Sequence, residues 1–536
     1  MRIAIAQLNS TVGDLAGNVK KIIALIALAK KDKAALIVFP ELSLTGYPPE
    51  DLLESEDFVN DVEKMVLKIA KVCKGIICIF GSVRKRAEKR GKPIANSAIV
   101  CKNGQVIGYY DKQLLPTYGI FDERRYFEPG TEPFVFDIDN QTIVLSICED
   151  MWPSFQYPNH PLRDLKKFNP DLHINLSASP FDITKDKKRI KACQDAVRLV
   201  GCPLVYCNQV GANDGLIFDG KSAIFDKSGK TTFQLKAFEE DFLITDTSNK
   251  AKFIQKDIVV EEELFKALTM AIKDYFKKSS NKIAVIGLSG GIDSALVVCL
   301  TAAALGSENV IAVFLPSNHT SKESMRDAAL MAKRLNIQTR EIHIEKSYQA
   351  LRKELKRGLN FSVVDENIQS RLRTLMLMAI ANENNALQIN TGNKSELALG
   401  YCTLYGDTTG AFSVIGDLTK RRVYALARWI NRHREIIPQY TIDREPSAEL
   451  KDNQKDTDSL PPYDLLDEII EMSIEKKSTI AQIVAKTKQT ESFIRETLNK
   501  IDKQEYKRRQ VPFSFRVTEH AFSHGRRFPV VQQWKR

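Results

Sequence analysis

At 536 residues, with 43% hydrophobic and 27% charged side chains, the chain exceeds one ordinary hydrophobic core and has a globular composition, so two domains are expected. Its longest apolar runs are strand-sized or broken by charge, short of the ~20 residues of a spanning helix, and no membrane role is expected. The net charge of +11 is spread along the sequence, and its local clusters, "RKRAEKRGK" at 84–92 and "YKRRQ" at 506–510, read as solvated faces; an anionic, phosphate-bearing substrate explains a basic balance as well as nucleic acid does, and no nucleic-acid partner is expected.

The nine cysteines include no C-x-x-C pair and no Cys/His set at zinc spacing, so neither a disulfide framework nor a structural metal is expected. The opening "MRIAIAQLNS" holds a five-residue stretch, Ile3–Gln7, that already includes a polar residue and is too short for a signal-peptide core, and the expected location is the cytoplasm.

From residue 1 to about 245, short apolar runs alternate with helical patterns. "RIAIAQL" is followed by an amphipathic stretch from Asn18 to Lys30, then by "ALIVFPE", "IICIFGSV", "TIVLSICED", "LHINLSASP" and "PLVYCNQV". Two hairpins interrupt the series, one turning at Asn103-Gly104 in type I′ fashion and one at Ser228-Gly229. Hairpins mixed with strand–helix alternation predict an α/β sandwich of sheets covered by helices.

A linker is expected over 246–262 and a second domain over 263–536. A helix from about Val260 to Lys278 leads into the strand "KIAVIG". Then come "NVIAVFLP", a helix from Ser321 to Leu335, "QTREIHIE", helices up to Asn385 and "ALQINTG". This β–α alternation predicts a doubly wound parallel sheet, which binds ligands beyond the carboxyl ends of its strands. The charged, Pro-bounded segment 441–463, "TIDREPSAELKDNQKDTDSLPPY", reads as a long loop that orders on ligand binding.

The turn after "KIAVI" comprises Gly287, Leu288, Ser289, Gly290, Gly291, Ile292, Asp293 and Ser294. Hydroxyls, backbone N–H groups and a helix N-terminus suit a multiply charged phosphate, yet the lysine of G-x-x-x-x-G-K-[ST] is missing. Asp293 has a use against phosphate only if Mg²⁺ sits between them, which suggests a metal–nucleotide complex. A simple strand–helix turn is the plainer reading, but S-G-G-x-D-S is far more particular than such a turn requires.

This turn resembles the SGGxDS signature of the ATP pyrophosphatases, which cleave ATP between the α and β phosphates and adenylate a carbonyl-type oxygen. "DENIQSRLRTLMLMAIAN", "NTGNKSELALGYCTLYGD" and "IGDLTKRRVYALARWIN" together resemble the NAD synthetases, whose substrate is deamido-NAD. The resemblance implies an adenine nucleotide α-hydrolase-like fold, with Thr391 near ATP, Asn367 on deamido-NAD, and Glu396 on Mg²⁺ or deamido-NAD beside Asp293. It also implies Lys420 as a phosphate ligand and Lys507, in "EYKRRQVPFSF", as a contact to deamido-NAD. A cap or surface role is the plainer reading of each.

Amide formation needs ammonia, which at neutral pH is almost all ammonium. In the first domain Glu41, Lys112 and Cys148 each follow an apolar strand. A thiol nucleophile needs a base, which Glu41 can supply, and its tetrahedral intermediates need a cationic or N–H partner, which Lys112 can supply. Singly each is an ordinary strand-end residue. Their contexts, F-P-E, D-K-x-x-L-P and C-E-D, resemble the nitrilase, or carbon–nitrogen hydrolase, superfamily, which implies an αββα nitrilase-like sandwich and these three roles. A Cys-His-Glu amidotransferase is the competing design, but His160 and His173 lack its paired H-x-E setting and read as ordinary hydrogen-bonded histidines.

Taken over nearly the whole chain, the sequence resembles the glutamine-dependent NAD synthetases. That implies glutamine-binding roles for Tyr118, Ser179 and Lys185, substrates glutamine, ATP and deamido-NAD, and a homo-oligomer. Glu123 and Glu149 read equally well as support for the triad or the substrate amine and as structural groups. Two alternatives stand beside it: an ATP-pyrophosphatase amidotransferase with another carboxylate acceptor, and a basic scaffold carrying inactive folds.

Overall fold

The computed structural model describes residues 1–88, 90–152, 157, 160–247, 253, 259–358 and 360–536. The chain divides into two compact units, Met1–Asp257 and Ile258–Arg536.

In the first unit the strands are β1 (Arg2–Gln7), β2 (Leu36–Val38), β3 (Ile77–Lys85), β4 (Ile94–Lys102), β5 (Gln105–Asp111), β6 (Val135–Ile138) and β7 (Gln141–Ile147). They continue as β8 (Leu172–Ser177), β9 (Leu204–Asn208), β10 (Val210–Asn213), β11 (Leu216–Asp219), β12 (Ala223–Phe225), β13 (Thr231–Gln234) and β14 (Asp241–Asp246). Two six-stranded sheets result, ordered β14-β1-β2-β3-β4-β5 and β13-β12-β9-β8-β7-β6, with β10 and β11 forming a separate ribbon.

Strand periodicity sorts the side chains. Ile3 and Ile5 of β1 join Leu145, Ile174 and Val205 in the core between the sheets. Ala4 and Ala6, pointing the other way, join Val19, Ile22, Val62 and Ile69 of the helices Leu15–Lys31 and Glu56–Val72. On the outer face of the second sheet, Val144 and Leu204 cluster with Leu165, Cys193, Ala196 and Val200 of the helices Pro161–Leu165 and Lys185–Val200. The layers are therefore helix, sheet, sheet, helix, and strands buried on both faces read as unbroken apolar runs. Asn103 and Gly104 both have positive φ, 52° and 86°, as a type I′ turn requires. The β10–β11 ribbon is unexpected; its "VGANDGLIFD" shows no strand alternation. Of the expected linker, 248–252 and 254–258 lie outside the described residues, while Asp246 closes β14 and the helix Val260–Lys278 opens the second unit.

The second unit is built on β15 (Ala284–Gly287), β16 (Val310–Phe314), β17 (Gln338–Glu341) and β18 (Leu387–Gln388), all parallel, in the order β17-β16-β15-β18. Leu377, Ile380 and Ala381 of the helix Val363–Glu383 cover Val285, Ile311 and Val313. The helices Val260–Lys278, Ile292–Leu305 and Lys420–Ile430 pack together, the second of them lying on β15 and β16. β15 comes first in sequence yet lies inside the sheet, so strand order reverses beside it. A crevice opens there at the carboxyl end, where Gly287 begins the glycine-rich turn.

Segment 441–463 is held by contacts within its own unit: the helix Gln439–Asp443 precedes a loop in which Leu450 N–H donates to Gln454 Oε1 (2.8 Å) and Asp456 N–H to the Pro446 carbonyl (3.1 Å). Its charges find partners inside the fold, which composition alone does not reveal.

Candidate active sites

In the first unit the expected residues converge at strand ends. β2 delivers Glu41, β5 delivers Lys112 and β7 delivers Cys148, all three buried. Lys112 Nζ donates to Glu41 Oε1 and to Glu123 Oε1, each at 2.7 Å. Two of its three N–H groups are thus engaged, leaving one for an oxyanion. Glu41 Oε1 also accepts from Asn96 Nδ2 (2.8 Å), while Oε2 accepts from the Ala178 N–H (2.9 Å). Tyr47 OH donates to Glu123 (2.9 Å).

Electrostatics decide the resting protonation. Burial would lower the Lys112 ammonium, but Glu123 and Glu41 outweigh it and hold its pKa well above the ordinary value. Burial, opposed by Lys112 and assisted by Glu41, lifts Glu123 to about 7. Burial first, then the Glu41 charge, pushes the Cys148 thiol well up, with Lys112 pulling it back. The thiol therefore rests protonated and needs a base at the moment of attack. Cys148 sits at φ 41°, in the left-handed region a non-glycine residue rarely adopts, so the turn holds the sulfur where a relaxed strand would not.

The residues expected around glutamine gather beside Cys148. Tyr118 OH donates to Glu149 Oε1 (2.8 Å), and burial raises the Glu149 pKa against the pull of that hydrogen bond, of Lys112 and of Lys185, which opens its helix over the Trp152 ring (4.2 Å). Ser179, next to Ala178, donates its N–H to Asn208 Oδ1 (2.9 Å). His173 is fully buried with Nε2 2.7 Å from Ser146 Oγ, and burial drops its pKa to about 3. It is a neutral framework group outside this cluster of contacts. The sequence reading missed Asn96 and Asp150; Asp150 lies within C-E-D, and that adjacency was the only signal.

In the second unit a cavity of about 300 Å³ is lined by Gly287, Ser289, Asp293, Thr391, Glu396 and Lys420, among others. Ser289 Oγ lies 3.1 Å from Ser294 Oγ and accepts the Gly291 N–H (3.2 Å), which fixes the turn. Gly290 stands at φ 82° and its carbonyl accepts from Arg444 Nη2 (3.1 Å). Arg444 also reaches Ser324 and Glu449, whose carboxylate accepts from Ser321 Oγ (2.8 Å) and Ser324 Oγ (2.7 Å). Arg444 and Glu449 were visible in sequence only as members of a charged loop.

Asp293 at the start of the helix Ile292–Leu305 accepts from Lys420 Nζ and from Asn393 Nδ2 (3.0 Å). Lys420, expected as a phosphate ligand, is held here by carboxylates, with Glu396 Oε1 at 3.5 Å. Desolvation and the charge of Asp293 raise Glu396 to about 8 despite Lys420, and Asp456 adds to the rise. One ammonium thus faces an excess of hard carboxylate oxygens beside a phosphate cradle. Two carboxylates beside this turn are the kind of hard oxygen donor that Mg²⁺ takes, since it binds through one or two carboxylates plus substrate phosphates.

Asn367 and Lys507 do not line the cavity but meet along one neighbouring loop. Asn367 Oδ1 accepts from Thr403 Oγ1 (2.8 Å), and Lys507 Nζ donates to the Gly400 and Cys402 carbonyls (2.7 Å each).

The family model described as carbon-nitrogen hydrolase matches residues 2–252, and that described as NAD synthase matches 264–511. The chain is 41% identical to the glutamine-dependent NAD(+) synthetase of Synechocystis sp., over 99% of this chain and 98% of the relative. It is 38% identical to the protein of that name from Acinetobacter baylyi, over 100% and 99%. A solved structure of glutamine-dependent NAD+ synthetase from Acinetobacter baumannii, in complex with ADP, matches with TM-score 0.78 and 35% identity over 100% of this chain and 99% of that one. One from Cytophaga hutchinsonii shares the fold, at TM-score 0.85 and 22% identity over 99% and 98%.

Proposed function

The chain belongs to the family of glutamine-dependent NAD+ synthetases, and from that premise we infer how its residues convert deamido-NAD to NAD+ with ATP and glutamine. The reaction has two halves, each assigned to one unit.

In the first half Glu41 takes the Cys148 proton and the sulfur attacks the glutamine side-chain carbonyl. Lys112, fixed by Glu41 and Glu123, turns its remaining N–H to the oxyanion. Ammonia leaves with the proton Glu41 carries, and water hydrolyses the thioester to glutamate. Tyr118, Ser179 and Lys185, grouped near Cys148, hold the amino-acid end of glutamine. The raised thiol supports this order of events, because a protonated nucleophile needs a base within the site.

In the second half the nicotinate carboxylate attacks the α-phosphate of ATP, giving an adenylate and pyrophosphate, and ammonia displaces AMP. The turn Gly287–Ser294 and Thr391 hold ATP, while Asn367, Glu396 and Lys507 serve deamido-NAD. Asp293 and Glu396 would hold Mg²⁺, which neutralises phosphate charge when bound. The protein is further proposed to act in the cytoplasm as a homo-oligomer.

The observation that carries this reading is Lys112 clasped between two buried carboxylates beside a protonated Cys148. Incubation with ATP, glutamine and deamido-NAD, followed by chromatography, tests it. NAD+, AMP, pyrophosphate and glutamate should appear together, and turnover of glutamine without NAD+ or AMP would refute the coupling.

A further inference from the structure

Asp150 is fully buried, yet its carboxylate accepts four hydrogen bonds, two from strands of different sheets and two from the segment that follows β5. Oδ2 takes the N–H of Ile147 (2.9 Å), the last residue of β7 and the neighbour of Cys148, together with the hydroxyl of Tyr110 on β5 (2.8 Å). Oδ1 takes the N–H groups of Gln113 (3.1 Å) and Leu114 (2.8 Å), which directly follow Lys112. A carboxylate that merely capped its own short turn would need only Ile147. The other three donors belong to the segment that carries Lys112.

We propose that Asp150 is a positioning residue for glutamine hydrolysis: one side chain ties the turn bearing the nucleophile to the segment bearing the oxyanion lysine and so sets their separation. The inference rests on the roles given above to Cys148 and Lys112. Burying a carboxylate is costly, and burial does push Asp150 up to about 6, against the pull of its N–H partners, of Lys112 and of Tyr110. A second-row group kept at that cost is doing more than filling space. An amide cannot replace it, because an Asn would turn an NH₂ toward either the Ile147 N–H or the Gln113 and Leu114 N–H groups. Donor would then face donor on one side of the clamp.

The full-length chain carrying Asp150→Asn should lose about 100-fold in kcat for glutamine hydrolysis, the scale on which a misplaced catalytic group costs rate. Its KM for glutamine should stay within about threefold, since the residues around the amino-acid end are untouched, and ammonia-driven NAD+ synthesis should stay within about twofold. Tyr110→Phe, which removes one donor but keeps the carboxylate, should lose about tenfold in kcat, the cost of one hydrogen bond to a charged group. The proposal is overturned if Asp150→Asn keeps kcat within threefold, if its loss falls on KM instead, or if ammonia-driven synthesis falls equally. Should Asp150→Asn not accumulate as folded protein, an unaltered kcat in Tyr110→Phe overturns it. Cys148→Ala separates the two levels of inference: hydrolysis surviving there refutes the assignment of the nucleophile, whereas a dead Cys148→Ala beside an unimpaired Asp150→Asn refutes only the clamp.

Discussion

Gly290 and Ser324 meet backbone to backbone: a Cβ at position 290 would fall 2.3 Å from the Ser324 carbonyl oxygen, and Gly290 already stands at φ 82°. Neither the overlap nor the dihedral can be relieved by a rotamer change. Gly290→Ala should therefore displace the glycine-rich turn, the left-handed dihedral alone costing ~1–2 kcal/mol. KM for ATP in ammonia-driven synthesis should rise about tenfold or more, while glutamine hydrolysis is unchanged; an unaltered KM would show that the turn does not hold ATP.

Asp293 is clamped by Lys420 and Asn393 at the mouth of the same turn. Its replacement by Ala leaves the Lys420 ammonium without its nearest counter-ion and removes a donor for Mg²⁺. Synthesis from either nitrogen source should fall by about 1000-fold, the order seen when a group stabilising transition-state charge is deleted. Retained turnover with free ammonia would refute the role.

Chelation offers a test without mutation. Adding EDTA should abolish ammonia-driven synthesis and spare glutamine hydrolysis, because the first site uses a thiol, a lysine and a carboxylate alone. Excess Mg²⁺ should restore synthesis. Equal inhibition of both activities would mean that the ion serves something other than Asp293 and Glu396.

Cys148→Ala removes the thiol proposed as the nucleophile of glutamine hydrolysis. Glutamine-driven synthesis should drop about 1000-fold or more, and ammonia-driven synthesis should persist within about twofold. Equal loss of both would count against separate sites.

His173 makes stability depend on pH. Burial holds its folded pKa at about 3, below the ordinary 6.5, so the folded form stays neutral while an unfolded chain takes up a proton below about 6.5. Acidification thus favours unfolding: this contribution is complete above pH 6.5 and is lost progressively as pH falls toward 3. Between pH 6.5 and 4 the loss is on the order of 3 kcal/mol. The urea midpoint for loss of glutamine hydrolysis should fall less steeply with acid in His173→Gln; identical slopes would contradict the assignment.

Much of this architecture was legible because it follows periodicity. Strands such as β1 and β9 are apolar on both faces, so their runs betray them, and the turn at Asn103-Gly104 is written in residues that tolerate positive φ. The convergence of Glu41 and Lys112 near Cys148 was legible because each follows the end of such a run. What escaped was whatever depends on partners distant in sequence. Asp150 looks like any acid until Gln113 and Leu114 are seen to point at it, and Lys420 is a surface cation until Asp293 is found against it. The partners of the segment 441–463 were hidden for the same reason: its composition is that of a charged loop, and only the fold brings Arg444 and Glu449 to Gly290, Ser321 and Ser324.

Each unit holds hydrophobic clusters of its own, those of the sandwich in the first and those around Val285 and Leu466 in the second. In the first unit the clusters reach the catalytic turn itself: Cys148 belongs to the core between the sheets, beside Ile147, Leu145 and Tyr110. A cavity cut into that core is therefore expected to loosen the sulfur as well as the fold, so packing there is a tuning of reactivity.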